Sequence, residues 1–121
     1  MKYHCLIYFD PKTAFADTPE ARQMMADVRP YSEKYRASGN ILSEIPLNLP
    51  STAVTLTNRG GAVATTDGPF METKELLGGI MVIEARDLNE AIRIAGECPH
   101  ARLGTVEIRP EIDFSQPRPQ F

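Results

Sequence analysis

The sequence is poor in the residues that build most metal and redox sites. It has two cysteines and two histidines in 121 residues, and no pair of them has the spacing of a metal motif. The glycine pattern of dinucleotide-binding proteins, the P-loop and the metalloprotease motif HExxH are missing as well. These absences argue against the protein classes that such motifs define, and we expect neither a metal nor a cofactor.

Clusters of positive charge and long apolar runs are also missing. The net charge is −3, whereas a nucleic-acid-binding domain normally carries a basic patch, so we expect no direct contact with nucleic acid. No apolar stretch is long enough to cross a bilayer, and the apolar N-terminal segment is too short for a signal peptide. Cys5 and Cys98 lie in apolar patterns. They are predicted to be buried thiols, which favours a reducing, cytoplasmic compartment.

What remains is a globular composition, 42% hydrophobic and 24% charged, in a length that suits one domain. The hydrophobic periodicity predicts strands at 2–9, 41–47, 53–57, 62–66, 79–84 and 105–109. The capping sequence from Thr18 to Glu20 begins a helix that runs to Gly39, with Pro30 bending it. The capping box from Asp87 to Glu90 begins a second helix.

This order of elements predicts the fold. It is β-α-β, an inserted hairpin, then β-α-β, which is typical of an α+β, ferredoxin-like antiparallel sheet with two helices on one face. The domain is predicted to span residues 1–112, followed by an irregular tail at 113–121. The other sheet face needs a cover for Leu6, Met81 and Ile83. A second copy of the chain is the simplest cover, so we expect a homodimer.

The segment between the hairpin and the next strand, TDGPFMETK, is the candidate site. In this topology three connections, 10–17, 67–75 and 99–103, fall at one end of the sheet. Asp67, held by a stiff turn, and His100 are therefore predicted to share a pocket as an acid/base couple or an anion-binding corner. A nearby carboxylate would raise the pKa of His100. Lys74 and Arg109 are the candidates for holding the charge of a substrate.

Each of these residues also has a purely structural interpretation. Asp67 fits a turn residue that caps local backbone N–H groups, and His100 fits a solvated residue after a helix. The charged residues 72–75 fit an exposed turn with internal charge pairing. His4 fits a core or interface histidine, and Cys98 fits core packing rather than a nucleophile.

Two stretches resemble a known family. TDGPFMETKELLGG and DLNEAIRIAGECPHARLGTVEIRP resemble the DGPF subgroup of the YCII-related domain family, with similarity over residues 53–110. The resemblance implies a ferredoxin-like fold that dimerises into an α/β barrel, in a bacterial cytosolic protein associated with extracytoplasmic-function sigma factor genes. A His/Asp pair suspected of catalysis in the wider family has its histidine near the first helix. Residues 10–40 contain no histidine here, so that pair is not carried over.

Two functional hypotheses from different classes remain open. The first is a small cofactor-independent enzyme that carries out proton-transfer, isomerase- or hydrolase-like chemistry on a small polar or acidic metabolite at the barrel mouth. The second is a non-catalytic module that senses a small molecule or binds a protein, associated with sigma-factor-linked transcription control.

Overall fold

The computed structural model describes residues 1–117, and six strands and three α-helices account for most of them. In chain order they are β1 (Lys2–Phe9), α1 (Pro11–Ala14), α2 (Pro19–Ala37), β2 (Ile41–Pro46), β3 (Val54–Arg59), β4 (Ala62–Asp67), β5 (Leu76–Glu84), α3 (Leu88–Gly96) and β6 (Gly104–Pro110). Single 3₁₀ turns lie at Pro50–Thr52 and Pro99–Arg102. In the tail, residues 113–117 are neither helix nor strand, and residues 118–121 lie outside the described range.

The main sheet has four strands in the order β2-β5-β1-β6, and every neighbouring pair is antiparallel. This is the strand order of a ferredoxin-like fold, so the predicted α+β class is confirmed. β3 and β4 form a separate two-stranded hairpin. Its turn, Gly60-Gly61, has positive φ at both residues, as a tight two-residue hairpin loop requires.

The helices begin where the capping signals predict. Thr18 Oγ1 accepts a hydrogen bond from the Ala21 N–H at 3.1 Å, and α2 then continues through Pro30 as a single helix. Asp87 Oδ1 accepts from the Glu90 N–H at 2.9 Å at the start of α3. The one-turn helix α1, capped by Asp10, was not predicted.

Both long helices pack on the same face of the sheet. The core that they bury against it contains Tyr3, Cys5, Tyr31, Tyr35, Ile41, Met81, Ile83, Ala91 and Ile94. The prediction that Met81 and Ile83 lie on the uncovered face is wrong, because both are at most 1% exposed within this core. They lie opposite Cys5 and Tyr3 in the β1–β5 register and therefore share the helix side of the pleat. Leu6 does lie on the open face, opposite Ile80.

No helix within residues 1–117 is long and apolar enough to cross a membrane.

Candidate functional site

The three connections do meet at one end of the sheet, as the topology predicts. Phe9, the last residue of β1, lies opposite Leu76 on one side and Gly104 on the other. Thr105 Oγ1 also donates a hydrogen bond to Glu75 Oε1 at 2.9 Å. The end of the 67–75 segment is therefore tied directly to the strand that follows His100.

Two cavities lie at this end of the sheet, and their walls share only Leu47. The first, which we call the loop cavity, has a volume of about 1000 Å³. It is lined by residues 47–53, by 68–73, and by Tyr8 and Leu77, which pair with each other on the open face. The second, the helix-side cleft, has a volume of about 470 Å³ and lies between α2 and the sheet. Its wall includes Phe9, Tyr31, Glu44 and His100.

Asp67 and His100 are consequently not placed in one pocket. His100 lines the helix-side cleft, whereas Asp67 is exposed at the end of β4 and lines neither cavity. The turn that follows Asp67 leads along the open-face side. There the Gly68 N–H donates to the Ala53 carbonyl, and Thr55 Oγ1 donates to the Gly68 carbonyl, each at 2.8 Å. Gly68 has φ +101°, a backbone conformation that favours glycine in this turn.

Lys74 and Arg109 also lie away from the helix-side cleft. Lys74 is exposed in the segment before β5. Arg109 lies opposite His4 on β6 and forms an ion pair with Glu107. The pleat places His4, Glu107 and Arg109 on the open face. There His4 Nε2 is 3.0 Å from Glu111 Oε1. Substrate binding by Lys74 and Arg109, and catalysis by Asp67, therefore stay predictions.

The His100 ring is positioned by a buried proline before it in the chain and by an aromatic ring stacked against it. Pro99 begins the 3₁₀ turn and is fully buried, which fixes the backbone that carries the imidazole. The ring then stacks on Phe9, with 5.9 Å between the ring centroids. Phe9 in turn meets the edge of Phe15 at 5.4 Å. A Cβ on Gly78 would lie 2.1 Å from Phe9 Cε1, so only glycine leaves room for this aromatic stack.

Glu44 faces the cleft because β2 contains a bulge. The pairing with β5 shifts between Ile41 and Ser43, so that Ile41 lies opposite Ile83 and Glu44 lies opposite Met81. In an unbroken strand, residues 41 and 44 would point to opposite faces. The bulge turns Glu44 to the helix side, a common effect of bulges near functional sites. Simple alternation gives no signal for this residue, and the sequence analysis missed it.

Glu44 is fixed there by two residues of α2. Ser32 Oγ donates to Glu44 Oε1 at 2.7 Å. Arg36 donates to Glu44 Oε2 from Nε at 3.1 Å and from Nη2 at 2.8 Å. The carboxylate is the deeper partner, since its side chain is 27% exposed and that of Arg36 is 51% exposed. Charge-assisted contacts of this kind hold a carboxylate in one geometry.

Burial lowers the pKa of His100 below its usual value of 6.5, and the negative charge of Glu44 opposes this only in part. The expected rise caused by Asp67 is therefore not found. The physical reason is that desolvation disfavours the charged imidazolium, while Asp67 lies elsewhere. At neutral pH, His100 is an uncharged imidazole with one nitrogen able to accept a proton.

The cysteines do not add a nucleophile to the cleft. Burial raises the pKa of Cys98, and it raises the pKa of Cys5 to about 11, so both remain thiols at neutral pH. Both are free and buried, as the sequence predicts. Within residues 1–117, no group of three or more His, Cys, Asp and Glu side chains is arranged to hold a metal ion.

Comparison with known proteins decides the family. The sequence profile of the YCII-related domain matches residues 1–115. The chain belongs to the YCII-related domain family. A YCII-related relative by sequence is an uncharacterised protein of Rhizobium meliloti (strain 1021), 34% identical over 114 residues that cover 91% of each chain.

A solved structure has the same fold as this YCII-related chain. It is the 5-chloro-2-hydroxyhydroquinone dehydrochlorinase of Burkholderia phenoliruptrix AC1100, in complex with 2,5-dihydroxybenzoquinone. The TM-score is 0.55, with 15% sequence identity over 95% of this chain and 97% of the other. At this level of identity the likeness establishes the fold and leaves the chemistry to be argued from this chain's own residues.

Proposed function

We propose that this YCII-related protein is a small cofactor-independent enzyme that moves a proton on a small molecule bound in the helix-side cleft. His100 is the proton acceptor in this proposal. The observation that carries it is the position of the His100 imidazole on the wall of an otherwise largely apolar cavity of about 470 Å³. Small-molecule sites are usually apolar cavities of this size with a few placed polar groups.

The protonation state of His100 supports the role of a base. A general base must be unprotonated at the working pH and must have a pKa not far below it. Burial supplies the first condition by lowering the pKa of His100. Glu44 acts toward the second, because its negative charge opposes that fall and stabilises the imidazolium that forms on proton transfer.

The structural neighbour adds a second line of support. That protein is a dehydrochlorinase with a hydroxylated quinone bound, so a protein of this fold supports chemistry on a small ring compound. This makes an enzyme the better proposal than a sensing module.

Hydrogen exchange tests the proposal without knowledge of the natural substrate. The protein is incubated in D₂O with small hydroxyquinones and cyclic ketones, and NMR follows the loss of carbon-bound protons. We expect wild-type exchange above the buffer rate, and a fall of roughly 10²–10⁴-fold in His100→Asn, the usual contribution of a general base. His4→Asn is the matched control, because His4 lies on the open face beside Glu111.

Two results contradict the proposal. One is exchange at the buffer rate for every compound tested. The other is an equal loss of exchange in His100→Asn and His4→Asn. Saturable binding at the cleft without any exchange would instead favour the non-catalytic sensing module.

We also propose that the active form is a homodimer joined through the open sheet face. Leu6, Tyr8, Ile80 and Val82 lie partly exposed on that face, and a single copy has nothing in residues 1–117 that covers them fully. An exposed apolar sheet face of this kind favours association with a second sheet. The two free buried cysteines fit a reducing compartment, so we place the dimer in the cytoplasm in this proposal.

A further inference from the structure

Arg36 is the single lysine or arginine among the described residues that line the helix-side cleft. A guanidinium carries five N–H groups in a fixed plane. Arg36 donates two of them to Glu44 Oε2, one from Nε at 3.1 Å and one from Nη2 at 2.8 Å. Within residues 1–117 the other three donate to no protein group, so Arg36 has hydrogen-bonding capacity left for a ligand.

The contacts with Glu44 leave one edge of the guanidinium free. The Nε–H and one Nη2–H lie along the same side of the planar group, and this side faces the carboxylate. The second Nη2–H and one Nη1–H point in parallel from the end of the side chain, and we call this pair the free edge. Two parallel N–H groups bind both oxygens of a carboxylate, or a single oxygen that carries negative charge.

Glu44 holds the guanidinium in this orientation. The carboxylate is itself anchored from α2, because Ser32 Oγ donates to its other oxygen at 2.7 Å. The Arg36 side chain is the more exposed partner of the ion pair, so it lies nearer to solvent than the carboxylate does. The pair is neutral as a whole, and an anion that enters the cleft therefore meets a positioned donor with no excess of negative charge.

The charges of the ion pair match those that proton transfer creates. When a base removes a proton from the carbon next to a carbonyl group, the electrons of the C–H bond form a C=C bond and the carbonyl oxygen becomes a negative enolate oxygen. In the proposed function the proton goes to the bare nitrogen of His100, which becomes positive. The negative charge of Glu44 acts on His100, and the free edge of Arg36 offers its donors to the enolate oxygen. Fixed donors at a developing oxyanion are a major source of catalysis.

We infer that Arg36 is a further catalytic residue of the helix-side cleft, whose free edge binds a carbonyl oxygen of the substrate and stabilises the negative charge that develops there. The substrate class is then a small ring compound with a carbonyl group next to the exchangeable C–H bond. An apolar and aromatic wall suits the carbon skeleton of such a ring, and it includes Phe9, Phe15, Met25 and Val28. The inference rests on the proposed function for the reaction step, whereas the binding of an oxyanion rests on Arg36 alone.

Two matched probes test the binding role without any turnover. Benzoate is a ring with a planar oxyanion, and benzyl alcohol is a neutral ring of similar size. Each is titrated at neutral pH into the full-length wild type, Arg36→Gln, Arg36→Lys and Arg29→Gln, and NMR signals of the His100 imidazole give the dissociation constants. Arg29 is the matched control, because it also lies on α2 and donates to a carboxylate, Glu33 Oε1, at 3.0 Å, but does not line the cleft.

We expect the wild type to bind benzoate at least about tenfold more tightly than benzyl alcohol, because hydrogen bonds between charged groups are the stronger ones. Arg36→Gln should weaken benzoate binding by about tenfold or more and leave benzyl alcohol unchanged. Arg36→Lys retains a charge to pair with Glu44 and guards against a folding defect in Arg36→Gln. It should show a smaller loss, since an ammonium lacks the parallel N–H pair. Arg29→Gln should bind both probes as the wild type does.

The hydrogen-exchange assay tests the catalytic role. Arg36→Gln should slow the exchange of cyclic ketones by about tenfold or more, while Arg29→Gln should not. The roughly 10²–10³-fold effect of a buried oxyanion donor is the upper limit, since about half of the Arg36 side chain is exposed.

The outcomes separate this inference from the proposed function. Equal benzoate binding by the wild type and Arg36→Gln, no preference for benzoate over benzyl alcohol, or no shift of the His100 signals with millimolar benzoate would overturn the assignment of Arg36. Undiminished affinity in Arg36→Lys would overturn the role of the free edge. Exchange that depends on His100 and not on Arg36 would refute this inference and keep the proposed function. Arg36-dependent benzoate binding without any exchange would support the binding role and refute the enzyme.

Discussion

Gly78→Ala is the substitution with the clearest consequence for the site. The new methyl group would lie 2.1 Å from Cε1 and 2.3 Å from Cζ of Phe9, whereas carbon atoms in contact are separated by roughly 3.5–4.0 Å. The Phe9 ring must therefore retreat by about 1.5 Å. It has little room to do so, because it is 8% exposed and packs against Phe15 and His100.

The expected loss of stability is that of an overpacked core, about 1–3 kcal/mol. For a domain of 121 residues, a loss of ~2 kcal/mol lowers the thermal midpoint by roughly 6–12 °C. Differential scanning calorimetry measures the midpoint. NMR of the His100 imidazole then shows whether the retreat of Phe9 disturbs the cleft, which we also expect.

Gly96→Ala is the matched control for this experiment. A Cβ at Gly96 meets no atom within 4 Å, and the residue lies in α3, where alanine is the better helix former by about 1 kcal/mol. Its midpoint should stay unchanged or rise. If Gly78→Ala melts at or above the temperature of Gly96→Ala with unchanged His100 signals, the packing described around Phe9 is wrong.

Three further predictions concern the turn, the core and the open face. Gly68→Val should lower the unfolding free energy by about 1–3 kcal/mol, since Gly68 has φ +101°; an unchanged denaturant midpoint would rule out strain there. Tyr31→Phe should lower the free energy of unfolding by about 1 kcal/mol, because it removes the hydroxyl that donates to the Ile94 carbonyl. An unchanged free energy in denaturant unfolding would show that this hydrogen bond contributes nothing to stability. Leu6→Glu should convert the proposed dimer to monomer in sedimentation, while Ile92→Glu on the outer face of α3 should not; a wild-type monomer at micromolar concentration would refute the dimer.

Local signals in the sequence predicted the elements well. The cap at Thr18 and the box from Asp87 to Glu90 each satisfy backbone N–H groups that a helix start leaves free, so the starts of α2 and α3 follow from neighbouring residues alone. The Asp10-Pro11 pair carries the same kind of signal, an N-cap followed by proline. The helix that follows it, α1, is a single turn, which is too short for hydrophobic periodicity to indicate.

The wrong prediction about Met81 and Ile83 concerns the pairing register between β1 and β5, two strands far apart in the sequence. Alternation shows which residues of one strand share a face, but it does not show which face of β1 matches which face of β5. Met81 and Ile83 were therefore grouped with Leu6, whereas the register pairs them with Cys5 and Tyr3 on the helix side.

The same limit applies to the candidate site. Topology correctly brought the segments of Asp67 and His100 to one end of the sheet, but it could not show that the two residues do not share a cavity. Glu44 was missed because the bulge in β2 reverses the expected direction of its side chain. A bulge depends on pairing with β5 and leaves no mark in the alternation of β2 itself.

The sign of the pH dependence follows from the lowered pKa of His100. Above the unfolded value of about 6.5, neither state binds the proton, and the contribution of His100 to stability is constant. As the pH falls from 6.5 to the lower folded pKa, the unfolded state takes up the proton first, so stability decreases through that window. Below the folded pKa the loss is complete.

The titration of His100 tests most directly whether this residue is a neutral proton acceptor coupled to Glu44. NMR of the imidazole signals follows its pKa in the wild type, in Glu44→Gln and in Asp67→Asn, with His4 in the same spectra as an internal reference. We predict a wild-type pKa below 6.5, a further decrease in Glu44→Gln because the opposing negative charge is removed, and no change in Asp67→Asn. A wild-type pKa above 6.5, or a pKa that responds to Asp67→Asn and not to Glu44→Gln, would contradict this assignment of the site.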